Sequence, residues 1–96
     1  MASRPDLRAW VEAVARALVD RPEAARVERI EEDDAEILEL RVDPDELGRV
    51  IGRQGRTAQA LRTLLAIAGA KHGRTYELEI VESSETIGEP PRSLAE

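Results

Sequence analysis

Apolar and polar positions follow a helical period at the start of the chain. Apolar residues recur every three or four positions over 7–18, which predicts an amphipathic helix that ends near Pro22. Ser3 is placed to cap this helix, and Asp6 stands where a capping-box acid belongs. The apolar face, which includes Trp10, is expected to pack against the core.

Three later segments have the composition or the two-residue period of β-strands. They run from Ala25 to Ile30, from Ala35 to Val42 and from Thr75 to Val81. The second alternates apolar and charged residues from Leu38 onward, so one of its faces should be buried and the other exposed.

A run of carboxylates, Glu31-Glu32-Asp33-Asp34, separates the first two predicted strands. It lacks the glycine and the final glutamate of a calcium loop. Nothing in the surrounding sequence would bury these groups, as acid–base catalysis by paired carboxylates requires. We therefore expect an exposed hairpin turn here, with no metal ion.

Two glycines three residues apart lie between a short predicted helix and a long one. Asp43 as cap, Pro44 at the first helical position and Glu46 as the capping-box acid begin the short helix, which lasts about two turns. The long helix is expected from Arg56 to Ala70, with Gly73 just beyond its end.

The intervening segment, Gly52-Arg53-Gln54-Gly55, has the chemistry of a site for a phosphate backbone. Glycine can adopt positive φ and leaves its amide open to a ligand. The helix that follows presents unpaired N–H groups and the positive end of its dipole, and Arg53 adds a charge. A tight turn between helices would use the same residues, so the spacing alone does not decide between these interpretations.

Charge distribution favours the phosphate interpretation. The 96-residue chain has a net charge of −6, which alone argues against a polyanionic partner. Residues 47–75, however, contain six basic residues and no acidic residue, so the rest of the chain carries −12. This pattern is typical of selective polyanion binding, although solvated helix faces can also segregate charge by chance.

Length and composition indicate one domain, residues 1–82, followed by a flexible tail at 83–96 that contains Gly88, Pro90 and Pro91. The absence of cysteine excludes disulfides and thiolate metal sites and agrees with a cytoplasmic location. We expect neither a signal peptide nor a membrane span.

The apolar arc of the long helix is wider than one sheet needs to cover. Ala60, Leu64 and Ile67 lie along one edge of it. This edge predicts a contact with a second protein, most simply another copy of the chain. Packing on neighbouring helices within the domain is the alternative.

An enzyme is the least favoured class of function. No base stands beside a nucleophile, and Gly55-Arg56-Thr57 lacks the lysine and the upstream glycine of a nucleotide-binding P-loop. We therefore expect no catalytic residue and no cofactor. An RNA-binding module and a protein-interaction module remain, and single-stranded DNA is a further possible ligand.

The order helix, strand, strand, helix, G-x-x-G, helix, strand resembles the K-homology (KH) domain in its bacterial type II arrangement. Val50-Ile51-Gly52-Arg53-Gln54-Gly55-Arg56-Thr57, with the segment from Pro44 to Gly48, is similar to the KhpA family of small single-KH-domain proteins. The resemblance covers about residues 5–82. It implies an α+β fold, with three helices packed on one face of a three-stranded sheet.

The resemblance also implies a cytoplasmic protein that binds single-stranded RNA and has no enzymatic activity. The family's members form homodimers, pair with a larger KH-containing partner of the Jag or KhpB type, and are linked to cell shape and division. Post-transcriptional regulation or RNA chaperone activity follows as an expectation. Carried onto this chain, Gly52, Arg53, Gln54 and Gly55 would clamp the RNA backbone. The predicted RNA site also includes Arg49, Arg56 as a phosphate contact, and Val50 and Ile51 as part of an apolar groove for bases. The alternative function is a KH-fold interaction module that reads no RNA.

Overall fold

The computed structural model describes residues 5–82. The helices are α1 (Leu7–Leu18), α2 (Leu47–Ile51) and α3 (Arg56–His72), and the strands are β1 (Arg26–Glu32), β2 (Ala35–Val42) and β3 (Thr75–Glu82). Short 3₁₀ turns at Pro22–Ala24, Pro44–Glu46 and Arg53–Gly55 precede β1, α2 and α3. This order confirms the predicted α+β fold of the type II KH arrangement. The predicted tail, 83–96, and the predicted cap Ser3 lie outside the described residues.

The sheet has β2 at its centre, paired antiparallel with β1 and parallel with β3. Only Asp33 and Asp34 separate β1 from β2, and Asp33 takes a left-handed conformation with φ of 47°. The acidic run therefore forms the predicted hairpin turn. Its first two glutamates belong to β1, which continues two residues beyond its predicted end.

The core lies between one face of the sheet and the helices. Leu38, Leu40 and Val42 of β2 are fully buried, as their alternation predicts, and Tyr76 and Leu78 of β3 join them. From the helical layer come further buried apolar side chains: Val11, Ala15, Val50, Leu61 and Leu65. Trp10 is partly buried against this cluster.

The start of α1 differs from its prediction in one detail. Asp6 is itself the N-cap, and its carboxylate accepts a hydrogen bond from the Ala9 amide at 3.1 Å. The helix then begins at Leu7. It ends at Leu18, earlier than expected, because Val19 is already extended.

Candidate nucleic-acid interface

Gly52 ends α2 and turns the chain sharply. Its amide donates to the Gly48 carbonyl at 2.8 Å, and its φ of 82° is rare for residues with a Cβ. A Cβ at this position would also overlap the backbone nitrogen and the side chain of Thr57. Gly52 is therefore required by the packing of the loop on the first turn of α3.

Gly55 meets a different requirement. Its amide donates to the Gly52 carbonyl at 3.0 Å, and its φ of 74° places it in the left-handed region at the start of α3. Apart from Gly55 itself and its immediate chain neighbours, no heavy atom lies within 4 Å of the place where its Cβ would be. The loop thus leaves free space at the amino end of a 17-residue helix, where unpaired amides and the helix dipole favour an anion.

Polar side chains surround this free space. Arg53, Gln54 and Arg56 are all exposed, and Arg56 Nη2 donates to Gln54 Oε1 at 3.1 Å. Gln54 has a φ of 57°, an uncommon conformation for a residue other than glycine, asparagine or aspartate. The two arginines make the loop tip cationic.

Two of the predicted RNA-site residues have other surroundings. Arg49 Nη2 lies 3.1 Å from Asp20 Oδ2, and its Nε lies 3.9 Å from Glu46 Oε2, so its charge is partly neutralised at the end of α1. Val50 is fully buried in the core. Val50 therefore supports the loop from beneath and cannot line a surface groove, whereas Ile51 is partly exposed.

Glu46 has a role that its sequence context did not reveal. The capping motif predicted a bond back to its own helix start, but the carboxylate is buried and accepts hydrogen bonds from the amides of Asp20 and Arg21. Glu46 thereby fixes the approach to α2 against the end of α1. Only its position between a capped turn and an apolar run could have drawn attention to it.

Asp43, the predicted cap, forms two interactions. Its carboxylate accepts a hydrogen bond from the Asp45 amide at 2.9 Å and lies 2.7 Å from Arg21 Nη1. The Asp45 amide and then the Arg21 guanidinium hold the pKa of Asp43 below its usual range, and the Asp43 carboxylate raises the pKa of Arg21. Together with Glu46, this pair sets the position of α2 and hence of the loop.

A groove of about 560 Å³ lies beside the loop. It is bounded by the loop, one face of α3 and the edge strand β3; its lining residues are Ile51, Gln54, Gly55, Arg56, Ala58, Gln59, Arg62 and Ile80. Arg62 Nη2 donates to the Leu78 carbonyl at 3.0 Å and so bridges α3 and β3. The groove therefore combines an apolar floor with a polar, basic rim.

Other kinds of site were sought in the part of the chain that the structure describes. Residues 5–82 contain no group of three histidine, cysteine, aspartate or glutamate side chains that could hold a metal ion. Among the same residues, no helix has both the length and the apolar character needed to cross a membrane.

Comparisons with known proteins agree on one family. The family model described as "KhpA/KhpB, KH domain" matches residues 8–80. RNA-binding protein KhpA of Aquifex aeolicus is 51% identical over 76 residues, which are 79% of this chain and 96% of that protein. RNA-binding protein KhpA of Clostridium perfringens is 40% identical over 75 residues, or 78% of this chain and 100% of that protein.

A solved structure shows the same fold in a longer protein. An Era variant from Aquifex aeolicus, in a crystal structure with GDP.AlF4-, superposes with a TM-score of 0.52 at 20% identity. The match covers 85% of this chain and 33% of the Era chain. At this identity the likeness bears on the fold alone, whereas the family model and the KhpA relatives show that the chain belongs to the KhpA/KhpB KH-domain family.

Proposed function

We propose that this protein binds single-stranded RNA and holds its sugar-phosphate backbone on the loop Gly52-Arg53-Gln54-Gly55. The observation that carries the proposal is the free space at Gly55, which lies at the amino end of α3 between exposed Arg53 and Arg56. The relatives named RNA-binding protein KhpA support RNA as the ligand. This function is binding, without a catalytic step.

The adjoining groove would receive bases. In a KH domain the G-x-x-G loop clamps about four nucleotides through their backbone. Ile51, Ala58 and Ile80 offer apolar contacts to base rings, and the arginines of the loop would meet phosphates. The described residues offer no exposed aromatic ring for stacking, since Tyr76 is buried and Trp10 partly so. Apolar contacts with base rings would therefore come from aliphatic side chains.

The test is a loop variant that removes the positive charge and keeps the fold. Arg53→Asp combined with Gln54→Asp changes the charge of the loop by about −3, and aspartate tolerates the left-handed backbone at Gln54. A matched control, Lys71→Asp with Thr75→Asp, makes the same charge change at exposed positions near the far end of α3.

We expect the loop variant to lose about tenfold or more in affinity for a mixed-sequence RNA, since charge-assisted hydrogen bonds each contribute roughly 1.5–3 kcal/mol. The control should lose much less. Fluorescence anisotropy measures the affinities, and thermal melts establish that both variants are folded. Equal losses in the two variants would mean that net charge, rather than the loop, governs binding.

We further propose that the protein forms a homodimer through the exposed edge of α3. Leu64 is 51% and Ile67 62% exposed, and Ala60 lies on the same exposed side of the helix. Burying such side chains contributes about 1.5–3 kcal/mol each. Leu64→Asp should give a folded monomer in light scattering, with Ala66→Asp, which makes the same charge change at an exposed position of the same helix, as the control. A native protein that is already monomeric would refute the dimer.

We also propose that the protein pairs with a larger KH-containing protein. The matching family model describes the KH domains of both KhpA and KhpB, so a protein of the Jag or KhpB type would carry a related KH domain with which this protein could pair. By resemblance to the family, the protein would act in the cytoplasm as a post-transcriptional regulator or RNA chaperone that affects cell shape and division. Deleting the gene and recording cell length tests that role.

A KH-fold interaction module is the second candidate function. The exposed Leu64 and Ile67 favour it, because a purely RNA-binding monomer has no need of them. The RNA assay separates the two functions: a folded native protein that binds no RNA, yet loses a protein partner through Leu64→Asp, would support the interaction module.

A further inference from the structure

Arg62 occupies a position in the groove that differs from those of the loop arginines. It lies seven residues after Gly55, which along a helix is about 10 Å. Arg56, by contrast, donates a hydrogen bond to the side chain of Gln54 at the loop itself. Gly55 and Arg62 line the same groove, so a nucleotide whose phosphate lies at Gly55 and whose base enters the groove would come within reach of Arg62.

The guanidinium of Arg62 is held in place by the protein. Its Nη2 donates to the Leu78 carbonyl at 3.0 Å, which ties the end of a long flexible side chain to the edge strand. Arginine has five N–H donors in a planar fork and no acceptor. One donor reaches Leu78, and the other donors of the fork are available to a ligand in the groove.

A donor-only fork selects among bases by the acceptors that they place side by side. Cytosine offers O2 next to N3, and guanine offers O6 next to N7. Adenine puts its N6 amino donor beside N1 and N7, and uracil puts its N3 donor between O2 and O4, so each opposes one N–H of the fork with another donor. Single-stranded RNA leaves all of these edges accessible.

We infer that Arg62 reads the base in this groove and favours cytosine or guanine over adenine and uracil. This inference rests on the proposed RNA-binding function and goes beyond it by naming the preferred bases. The other groove residues do not select in this way. Ile51, Ala58 and Ile80 would contact the ring of any base, and the amide of Gln59 can donate or accept with equal ease.

The experiment compares short fluorescent oligonucleotides of cytidine, adenosine and uridine, and a uridine oligonucleotide with central guanosines. The native protein should bind the cytidine and guanosine-bearing probes about tenfold more tightly than the other two, in line with the discrimination of a bidentate contact. Arg62→Gln should remove this preference and leave uniform, weaker binding. Arg62 is exposed, so the fold should tolerate the change, and thermal melts verify this.

Two further variants separate base reading from charge. Arg62→Lys keeps the charge but not the planar fork, so it should retain binding to all probes and lose the preference. Lys71→Gln removes one positive charge at the other end of α3 and should keep the preference.

The inference fails if the native protein binds all four probes equally, if it prefers adenosine or uridine, or if its preference survives Arg62→Gln. Equal binding that the Arg53→Asp, Gln54→Asp variant abolishes would refute base reading by Arg62 and leave the proposed function intact. No binding of any probe would refute both.

Discussion

At the scale of single residues, the glycines of this fold meet different requirements. Gly52 must lack a Cβ because Thr57 fills that space, whereas Gly55 needs only its positive φ. Gly69 lies inside α3, where a Cβ would overlap the Arg74 carbonyl; the Arg74 amide also donates to the Gly69 carbonyl at 2.9 Å. Gly48 in α2 has open space around it. Contacts with residues five positions later in the chain distinguish Gly52 and Gly69 from the other two glycines.

Replacing Gly69 with alanine should destabilise the protein even though alanine is the better helix former. We expect a loss of about 1–3 kcal/mol in the free energy of unfolding, as for overpacked sites. Gly48→Ala is the matched control and should gain up to about 1 kcal/mol from helix propensity. Urea denaturation measures both changes. A gain at both positions would show that the α3–Arg74 contact relaxes without cost.

Asp43 should make stability depend on pH in the acid range. Its pKa is lowered in the folded state, so its contribution is fully present above the unfolded value of about 3.9 and is lost as the pH falls through the lower folded value. Asp43→Asn should therefore be less stable than the native protein at neutral pH. Its melting temperature should also fall less on acidification below about pH 4. Parallel acid profiles of the two proteins would contradict this assignment.

Several residue roles could not be predicted from the sequence, because their partners are distant along the chain. Contact of Arg49 with RNA stays a prediction, but its ion pair with Asp20, two residues beyond the end of α1, could not be predicted from its local sequence. Glu46 fits a local capping motif, yet it bonds the amides of residues 20 and 21. Val50 stands inside the recognition motif and is part of the core. A motif gives residue types and spacing; side-chain direction depends on tertiary packing.

At the scale of elements, the face of the sheet away from the helices carries a row of like charges. In the observed register Glu28 is opposite Glu39, and Glu39 is opposite Glu79. Directly opposed like charges are destabilising, and only part of the repulsion is offset by the bond from Arg41 to Glu39 at 2.9 Å. The register itself is set by the buried residues on the other face.

Reversing one charge of this row should stabilise the fold. Glu79→Lys places a cation opposite Glu39 and should raise the free energy of unfolding by about 0.2–1 kcal/mol. Glu77→Lys makes the same change on the same strand opposite Ile37, and its gain should be smaller. Thermal melts at low salt compare the two. Equal gains would indicate a general effect of net charge rather than a cross-strand contact.

The elements were more predictable than the individual contacts. Alternation on β2 and the helical period of α3 are local patterns that reflect burial on one side, and both elements begin where expected. The observed ends of β1 and α1 differ from the predicted ends because backbone conformation, rather than hydrophobicity, sets them. Because the turn consists of only Asp33 and Asp34, β1 is longer than predicted. Because Val19 is extended, α1 is shorter than predicted.

At the scale of the whole molecule, the separation of charge has opposite consequences for binding and for stability. The chain carries −6 overall, but the charged groups of residues 47–75 are all basic; this segment runs from α2 through the loop and α3 to the start of β3. Salt screens the attraction of this region for RNA, and it also screens the repulsion among the acidic groups elsewhere.

Raising the salt concentration from about 10 mM to about 0.15 M should therefore weaken RNA binding and raise the melting temperature. With about three phosphates neutralised on a single strand, the logarithm of the affinity should fall with a slope of about −2 against the logarithm of the salt concentration. Anisotropy titrations and thermal melts in the same buffers measure both. An affinity independent of salt would count against phosphate contacts.

The parallel pairing of β2 with β3 also determines when, during synthesis of the chain, the groove beside the loop is complete. Ile80 forms part of the wall of the groove and belongs to β3, the last strand within residues 5–82, so the groove is complete only after β3 has joined the sheet. The loop at Gly52 to Gly55 is synthesised earlier and can meet a phosphate before then. If the groove receives bases as proposed, a chain still emerging from the ribosome would lack part of the surface for them, and base-selective binding would begin only after β3 has been synthesised.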